Sequence, residues 1–397
     1  MKTRNKQPLS IYIHIPFCKR KCLYCDFLST PASAQERESY VEALLREIPL
    51  MAEICRGYEI ISVFFGGGTP SLLSGEQVRR IMSTVKMNYN LCTDAEISME
   101  CNPATASFDT LREYKKCGIN RLSIGLQSAN DEELKALGRI HDYKQFLQTY
   151  EDARRAGFTN INIDLMSALP GQTYESYEET LKTVLALSPE HISAYSLIIE
   201  EGTPFYDMEL ALPDEDTERF MYYRTNRLLQ DEGYERYEIS NFAKKGYECR
   251  HNLTYWTGID YIGFGIGAAS YFQGYRYKNI SNIGVYKDKL SAVCREEIGA
   301  SGCGPFTPDA FAWHEEIQQL SKEEKMEEFM FLGLRLKKGI SESEFYEKFG
   351  RHVGEVYPDA LKRLIKEGVL VQKENHIYLS DKGTDVANYA MAQFLLD

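Results

Sequence analysis

The sequence predicts an α/β chain: an incomplete, TIM-like (βα)6 barrel followed by a C-terminal helical, winged-helix-like module. Three observations carry that prediction. Short apolar, β-branched runs alternate with helix-period stretches six times, the pattern of right-handed βα units on a parallel sheet. Six units fall short of the eight that close a barrel, so the sheet stays open; a doubly wound sheet fits the same alternation. Beyond Ser321, helical stretches lead into two short strands, the order of a winged helix. The expected division is residues 1–203 for the barrel, 204–320 for an extension of it, and 321–397 for the terminal module.

The first strand is Ile11–Ile15. Ser33 and Glu36 then read as a capping box, and Tyr40, Val41, Leu44, Leu45 and Ile48 form a helical stripe that Pro49 ends or kinks. Ile60–Phe65 is the second strand, followed by Gly66-Gly67-Gly68-Thr69-Pro70-Ser71 and a helix with Val78, Ile81, Met82 and Val85 on one face. Glu96–Glu100 is the third strand; the helix after it starts near Phe108 and stops at Gly118, a C-capping glycine. Arg121–Leu126 is the fourth. A helical stretch including Arg139 then runs to Gly157. Asn160–Met166 and His191–Leu197 are the fifth and sixth strands, around a helix over Tyr174–Leu187.

Asp207–Glu218 carries six acidic residues and no basic one, as a solvated loop and helix start would. Tyr237–Phe242 reads as a strand and turn. The segment His251-Asn252-Leu253-Thr254-Tyr255-Trp256 leads to the glycine-rich Tyr261–Ser270, which lacks the pattern of a Walker loop. Glu324–Leu336, Ser341–Phe349 and Pro358–Glu367 are helical, and Val369–Gln372 with His376–Leu379 reads as a hairpin. Counted over Ser321–Asp397, 12 basic residues face 14 acidic ones, so a packing or lid role suits this module better than DNA binding.

Composition excludes several functions. The 397 residues are 43% hydrophobic, enough core for one large domain or two to three smaller ones. A net charge of -12 disfavours a nucleic-acid surface. Without an apolar run of about 18 residues, no spanning helix is expected. The basic start, Met1–Lys6, precedes only a strand-length apolar run and does not read as a signal peptide. Cys55, Cys92, Cys101, Cys117, Cys249, Cys294 and Cys303 are scattered, as reduced thiols of a cytoplasmic protein would be.

The chemistry gathers at the strand ends. Directly after the first strand stand Cys18, Cys22 and Cys25, three thiols spaced C-x3-C-x2-C. Three clustered thiolates without a fourth suit a 4Fe-4S cluster with one iron left open. Zinc would want a fourth ligand, for which His14 is the nearby candidate, and a second C-x2-C pair is missing. The glycine run follows strand two, Glu100 ends strand three, Gln127 ends strand four, and Asp164 lies near the end of strand five. All fall on the rim where ligands of parallel α/β sheets bind.

Taken together, these motifs resemble the radical S-adenosylmethionine superfamily. Three cysteines there hold three irons, the fourth iron binds S-adenosylmethionine, and an electron from the cluster splits the sulfonium bond to a 5′-deoxyadenosyl radical. The resemblance narrows with Tyr12–Cys18, Gly66–Ser71, Asn120–Gln127, Arg139, Asp164-Leu165 and Leu169–Thr173, which are similar to the oxygen-independent coproporphyrinogen III oxidase family. It implies that Tyr12, Tyr24, Gly67 and Glu100 contact the cluster-bound cofactor, and that Gly68, Thr69, Gln127, Arg139 and Asp164 lie near it or near a neighbouring ligand. The structural alternative for Arg139 and Asp164 is an ion pair.

One departure matters. The oxidases place a further cysteine shortly after the third, whereas here Cys25 is followed by Asp26-Phe27. That feature and His251-Asn252-x-x-Tyr255-Trp256 resemble the haem-chaperone, HemW-type branch. The resemblance implies haem as cargo, an acceptor protein, and an electron donor of the flavodoxin or ferredoxin kind, with transient membrane contact admitted. His251 is the candidate haem ligand, since a neutral imidazole binds haem iron, with Tyr255 and Trp256 against the porphyrin; a satisfied structural histidine is the alternative. Rival readings are the oxidase itself and a zinc-stabilised binding protein.

Overall fold

The computed structural model describes residues 6–293 and 306–396; Cys294 and Cys303 lie outside them. Six strands, β1 (Gln7–Ile15), β2 (Tyr58–Gly67), β3 (Leu91–Cys101), β4 (Arg121–Gln127), β5 (Ile161–Ser167) and β6 (His191–Ser196), lie side by side in chain order and pair in parallel. Chain order across the sheet is barrel order. A doubly wound sheet reverses its strand order at a switch point, and these six strands have none.

The sheet continues past both ends of this set. Beyond β6 come β8 (Asn241–Ala243) and β7 (Glu235–Arg236), both antiparallel. Beyond β1 lies β9 (Tyr261–Phe264), parallel to it, then the antiparallel β10 (Ala269–Phe272), β11 (Tyr275–Asn279) and β12 (His314–Gln319). The result is one open sheet of 12 strands.

The helices start and stop where their caps dictate. In α1 (Ala34–Glu47), the Ser33 hydroxyl accepts from the Glu36 backbone and the Glu36 carboxylate accepts from that of Ser33. Pro49 falls in the short turn Ile48–Met51 after it. Helix α2 (Gly75–Asn88) buries Val78, Ile81, Met82 and Val85, and α3 (Phe108–Cys117) ends on Gly118 at φ 107°. The single stretch expected before Gly157 is two helices, α4 (Asp131–Ala136) and α5 (Tyr143–Arg155). Gly138 breaks it at φ 72° and Asp142 caps the second piece, so Arg139 sits in a turn rather than on a helix. Helix α6 (Tyr174–Leu187) precedes β6.

The period of two along the strands sorts their side chains by face. Ile11, Ile13, Ile15, Val63, Phe65, Leu122, Ile124, Ile161 and Ile163 are buried in the large core under the helices. Their neighbours face the other way and are polar. Ser10, Ser62, Ser98, Ser123 and Asn162 are buried and joined by hydrogen bonds, such as Ser62 to Ser10 at 2.7 Å and Asn162 to Ser123 at 2.7 Å. The concave side of the sheet is therefore hydrogen-bonded rather than oily, which prepares it for a charged ligand.

Helices α7 (Glu215–Asp231), α8 (Arg250–Thr257) and α9 (Ile283–Ala292) complete this body, the acidic run supplying the start of α7 with Asp214 as its cap. The terminal module has its own core around Met330, Phe345, Leu364 and Phe394. It comprises α10 (Lys322–Gly333), β13 (Ile340–Ser341), α11 (Glu342–Phe349), α12 (Val353–Val356), α13 (Pro358–Lys366), the hairpin β14 (Leu370–Lys373) and β15 (His376–Leu379), then α14 (Asp381–Asp385) and α15 (Ala387–Ala392). The three-stranded sheet and the preceding helices have the winged-helix order. No described residue beyond Asn252 lines the cavity at the cysteine loop, so the module packs beside the barrel and is not a lid over that rim.

Candidate functional site

A cavity of about 460 Å³ opens at the carboxyl ends of the parallel strands, within the range of small-molecule sites. Cys18, Cys22 and Cys25 border it, with Tyr24 from the same loop. Gly67, Gly68 and Thr69 after β2, Glu100 at the end of β3, Gln127 at the end of β4, Arg139 and Asp164 all line it as well. Eleven of the predicted positions thus meet in one place.

The cysteine loop is tied down by its backbone and its cations. Cys18 N donates to Thr30 O at 3.1 Å, Leu23 N to Leu137 O at 3.1 Å, and Phe205 N to Leu23 O at 3.1 Å. The Arg20 guanidinium donates to the carbonyls of Gly138 and Arg139 at 2.8 and 3.0 Å. The glycine run is needed for close approach. A Cβ at Gly68 would stand 2.7 Å from Phe17 O, and one at Gly67, where φ is 110°, would stand 2.5 Å from the His14 ring. Strand two can therefore pass under the cysteine loop only without side chains.

Arg139 joins three parts of the rim. Its guanidinium donates to Asn102 Oδ1 at 2.6 Å and Gly125 O at 2.7 Å, and lies 3.5 Å from Cys22 Sγ. Thr69 Oγ1 lies 3.4 Å from Cys18 Sγ and accepts from Asn102 at 3.0 Å. Glu100 accepts from Gly67 N at 3.1 Å; burial first, and the charge of Asp164 second, push its carboxyl up to about 8. Asp164 accepts from Asn162 at 2.7 Å and Ser123 at 3.2 Å, and burial raises it too. Among the described residues neither Arg139 nor Asp164 is in an ion pair; Arg139 is held by Asn102 and Gly125, Asp164 by Asn162 and Ser123. Gln127 adopts φ 74° beside a bulge in β4 and accepts from Tyr195 OH at 3.1 Å.

Two of the expected positions lie outside this lining. Tyr12 does not line this cavity. It lies deeper on the inner face of β1, its hydroxyl 3.1 Å from His14 Nδ1 and its ring against Phe64. His251 does not line it either. It is buried at 1% exposure, with Nδ1 2.9 Å from Ser62 Oγ and Nε2 2.9 Å from Tyr255 OH. Its ring stacks on Phe64 at 5.0 Å, and burial pushes it down to about 3. Both nitrogens are engaged, as the reading of His251 as a structural histidine requires. Its neighbour Asn252 does reach the cavity, as do Asn102, Arg121, Ser123 and Tyr195. Sequence reading passed over these. The step of two along β4, from Arg121 to Ser123 to Gly125 to Gln127, is the signal that points to Arg121 and Ser123.

The donor set fits an iron–sulfur cluster. Three partly exposed thiols border one cavity, with a hydroxyl and a guanidinium at two of the sulfurs. Among the described residues no three Cys, His, Asp or Glu side chains are grouped about one metal position. A four-iron cube instead spreads its thiolates to separate corners.

Comparison with known proteins agrees with this geometry. The family model of the radical SAM superfamily matches residues 12–184, and that of the HemN C-terminal domain matches 320–386. A solved structure of coproporphyrinogen III oxidase (HemN) from Escherichia coli superposes with a TM-score of 0.81 at 25% identity, covering 98% of this chain and 90% of that one. A Danio rerio protein called "Radical S-adenosyl methionine domain-containing protein 1, mitochondrial" is 33% identical over 84% of this chain and 74% of its own. "Heme chaperone HemW" of Bacillus subtilis is 37% identical over 97% of this chain and 99% of its own. With likeness of that extent end to end, the chain belongs to the HemW family of radical S-adenosylmethionine proteins.

Proposed function

We propose that this chain is a haem chaperone, which holds a 4Fe-4S cluster and S-adenosylmethionine at the rim cavity and passes haem to an acceptor protein. The observation that carries the reading is the end-to-end likeness to a relative of that name. The residues after the last thiol support it: Asp26 and Phe27 face the cavity where the oxidases supply another cysteine. Membership in the superfamily implies the cluster and S-adenosylmethionine. No helix among the described residues is long and apolar enough to cross a membrane.

In this reading residues 1–203 carry the cluster, 204–320 extend the barrel and 321–397 pack beside it. Cys18, Cys22 and Cys25 hold three irons, and the Arg139 guanidinium stands 3.5 Å from the Cys22 sulfur. When bound, the cluster supplies the electron that cleaves S-adenosylmethionine. Glu100 and Asp164 are half-buried carboxylates, each raised first by loss of solvent, with the charge of Asp164 adding to the rise at Glu100, so a ligand bearing sulfonium and ammonium charge suits the pair. Gly67 and Gly68 let backbone reach that ligand, with Tyr24, Thr69 and Gln127 around it. The donor is a flavodoxin or ferredoxin, and transfer takes place in the cytoplasm, with transient membrane contact where the acceptor sits there.

Oxidative decarboxylation of coproporphyrinogen III is the second reading, and the HemN-like fold favours it. One anaerobically reconstituted sample tests both. Haem uptake and transfer without conversion of coproporphyrinogen is the expected result. Conversion to protoporphyrinogen would overturn the chaperone reading.

A further inference from the structure

A second cavity, of about 330 Å³, lies between α8 and the terminal module. Its walls are aromatic: Trp256 and Tyr261 from one side, Phe329 and Phe349 from the other. Four basic side chains line it, Arg276, Lys325, Lys338 and Lys348, against two acidic ones, Glu328 and Glu344. Glu328 neutralises Arg276 at 2.8 Å, and Glu344 pairs with Lys348 at 3.2 Å. Lys325 and Lys338 are in no ion pair among the described residues. These two cations stand beside the aromatic walls of the cavity. They suit a flat aromatic ligand with two carboxylates. His376, from β15, stands at the same cavity. Its Nδ1 lies 3.2 Å from Glu374 O, while Nε2 has no partner among the described residues.

Helix α8 connects this place to the first site. Asn252, at one end, lines the cavity of the cysteine loop, while Tyr255 and Trp256, at the other, line the second. Between them His251 bonds Tyr255 and stacks on Phe64, which itself lines the first cavity. The segment that pointed to haem does so through its far end, not through its histidine.

We infer that the cavity between α8 and the terminal module is the haem site: Trp256, Phe329 and Phe349 hold the ring, Lys325 and Lys338 take the two propionates, and His376 Nε2 ligates the iron. The inference rests on the haem-carrier reading and deepens it. The cavity is too small to enclose a whole tetrapyrrole, so it grips one edge and leaves the remainder where an acceptor reaches it. A neutral imidazole with one free nitrogen is the ligand chemistry that haem iron takes.

Titration of the full chain with haem and with iron-free protoporphyrin IX, followed by absorbance at fixed ionic strength, tests this. The double variant Lys325→Glu/Lys338→Glu is expected to weaken both ligands about tenfold or more, by reversing charge at the carboxylates. His376→Ala is expected to change the iron-dependent spectrum of bound haem and leave protoporphyrin affinity unaltered. If the wild-type chain takes up no haem, the carrier reading falls and this site with it. If the wild type takes up haem and the double variant binds it equally well, the site alone is overturned. An unaltered haem spectrum in His376→Ala removes His376 as the ligand.

Discussion

The guanidinium of Arg139 lies 3.5 Å from the sulfur of Cys22, a residue 117 positions earlier in the chain. The same group donates to Asn102 at the end of β3 and to Gly125 O in β4. One side chain thus ties the thiol loop to two strand ends. Arg139→Ala is expected to cost about 1–3 kcal/mol through the partners left unmade, and to lower the iron retained after reconstitution to below about half, because the side chain that ties the thiol loop to two strand ends is gone. Arg139→Lys keeps the charge without the planar fork and should fall between. Melting temperature and iron-to-protein ratio measure the two effects; an alanine variant with wild-type iron content would contradict the positioning role.

Gly68 has no room for a side chain. The atoms a Cβ would strike, Phe17 O at 2.7 Å and Phe17 N at 2.9 Å, are backbone and do not swing aside. Gly68→Ala is expected to destabilise by about 1–3 kcal/mol and to displace the cysteine loop. Gly57→Ala is the control: nothing lies within 4 Å of its Cβ, so it should stay within about 0.5 kcal/mol of wild type. Denaturant midpoints of the pair settle the comparison, and equal midpoints would contradict it.

Glu100 gives a dependence on pH. Burial and then Asp164 raise its carboxyl from 4.5 to about 8. Between those values the folded chain holds a proton that the unfolded chain has released. The contribution of this group to stability is therefore complete below about pH 4.5 and is lost as pH rises through about 8. Glu100→Gln does not titrate. Its melting temperature minus that of wild type should increase by a few degrees, roughly, from about pH 5 to about pH 9. A difference that stays flat over that interval would show that Glu100 is not so perturbed.

His251→Ala removes a ring held by Ser62 and Tyr255 and opens a void beside Phe64. A loss of about 2–4 kcal/mol is expected, with haem uptake by the folded fraction unchanged. Unfolding and haem titration on the same preparation check both parts. Haem uptake lost in a variant that remains folded would return His251 to the iron.

Legibility in the sequence followed distance along the chain. The capping box at Ser33 and the stripe from Val78 to Val85 are local patterns, and both appear as read. The helix expected through Arg139 was misjudged, because a glycine at φ 72° and a second cap at Asp142 interrupt an otherwise helical composition. The resemblance implies a cofactor contact for Tyr12, while the pleat of β1 sets its hydroxyl beside His14, outside the lining of the rim cavity. Asn102 and Tyr195 give no signal, since isolated polar residues acquire meaning only from what they face, and Asn252 is legible only as part of the His251–Trp256 motif.

The sequence alone determined the parallel βα order, the triad of thiols and the demand for glycine after strand two. Each depends on a period of two, a spacing within eight residues, or a backbone that tolerates no Cβ, and all of these are properties of neighbouring residues. Tertiary structure decided the rest. Strand register and the bulge before Gln127 set which side chains share the cavity. The packing of α8 turned His251 inward to Ser62 while leaving Trp256 at a second cavity. Such choices join strands and helices far apart in the chain, where the partner of a side chain is fixed by packing rather than by its own sequence neighbours.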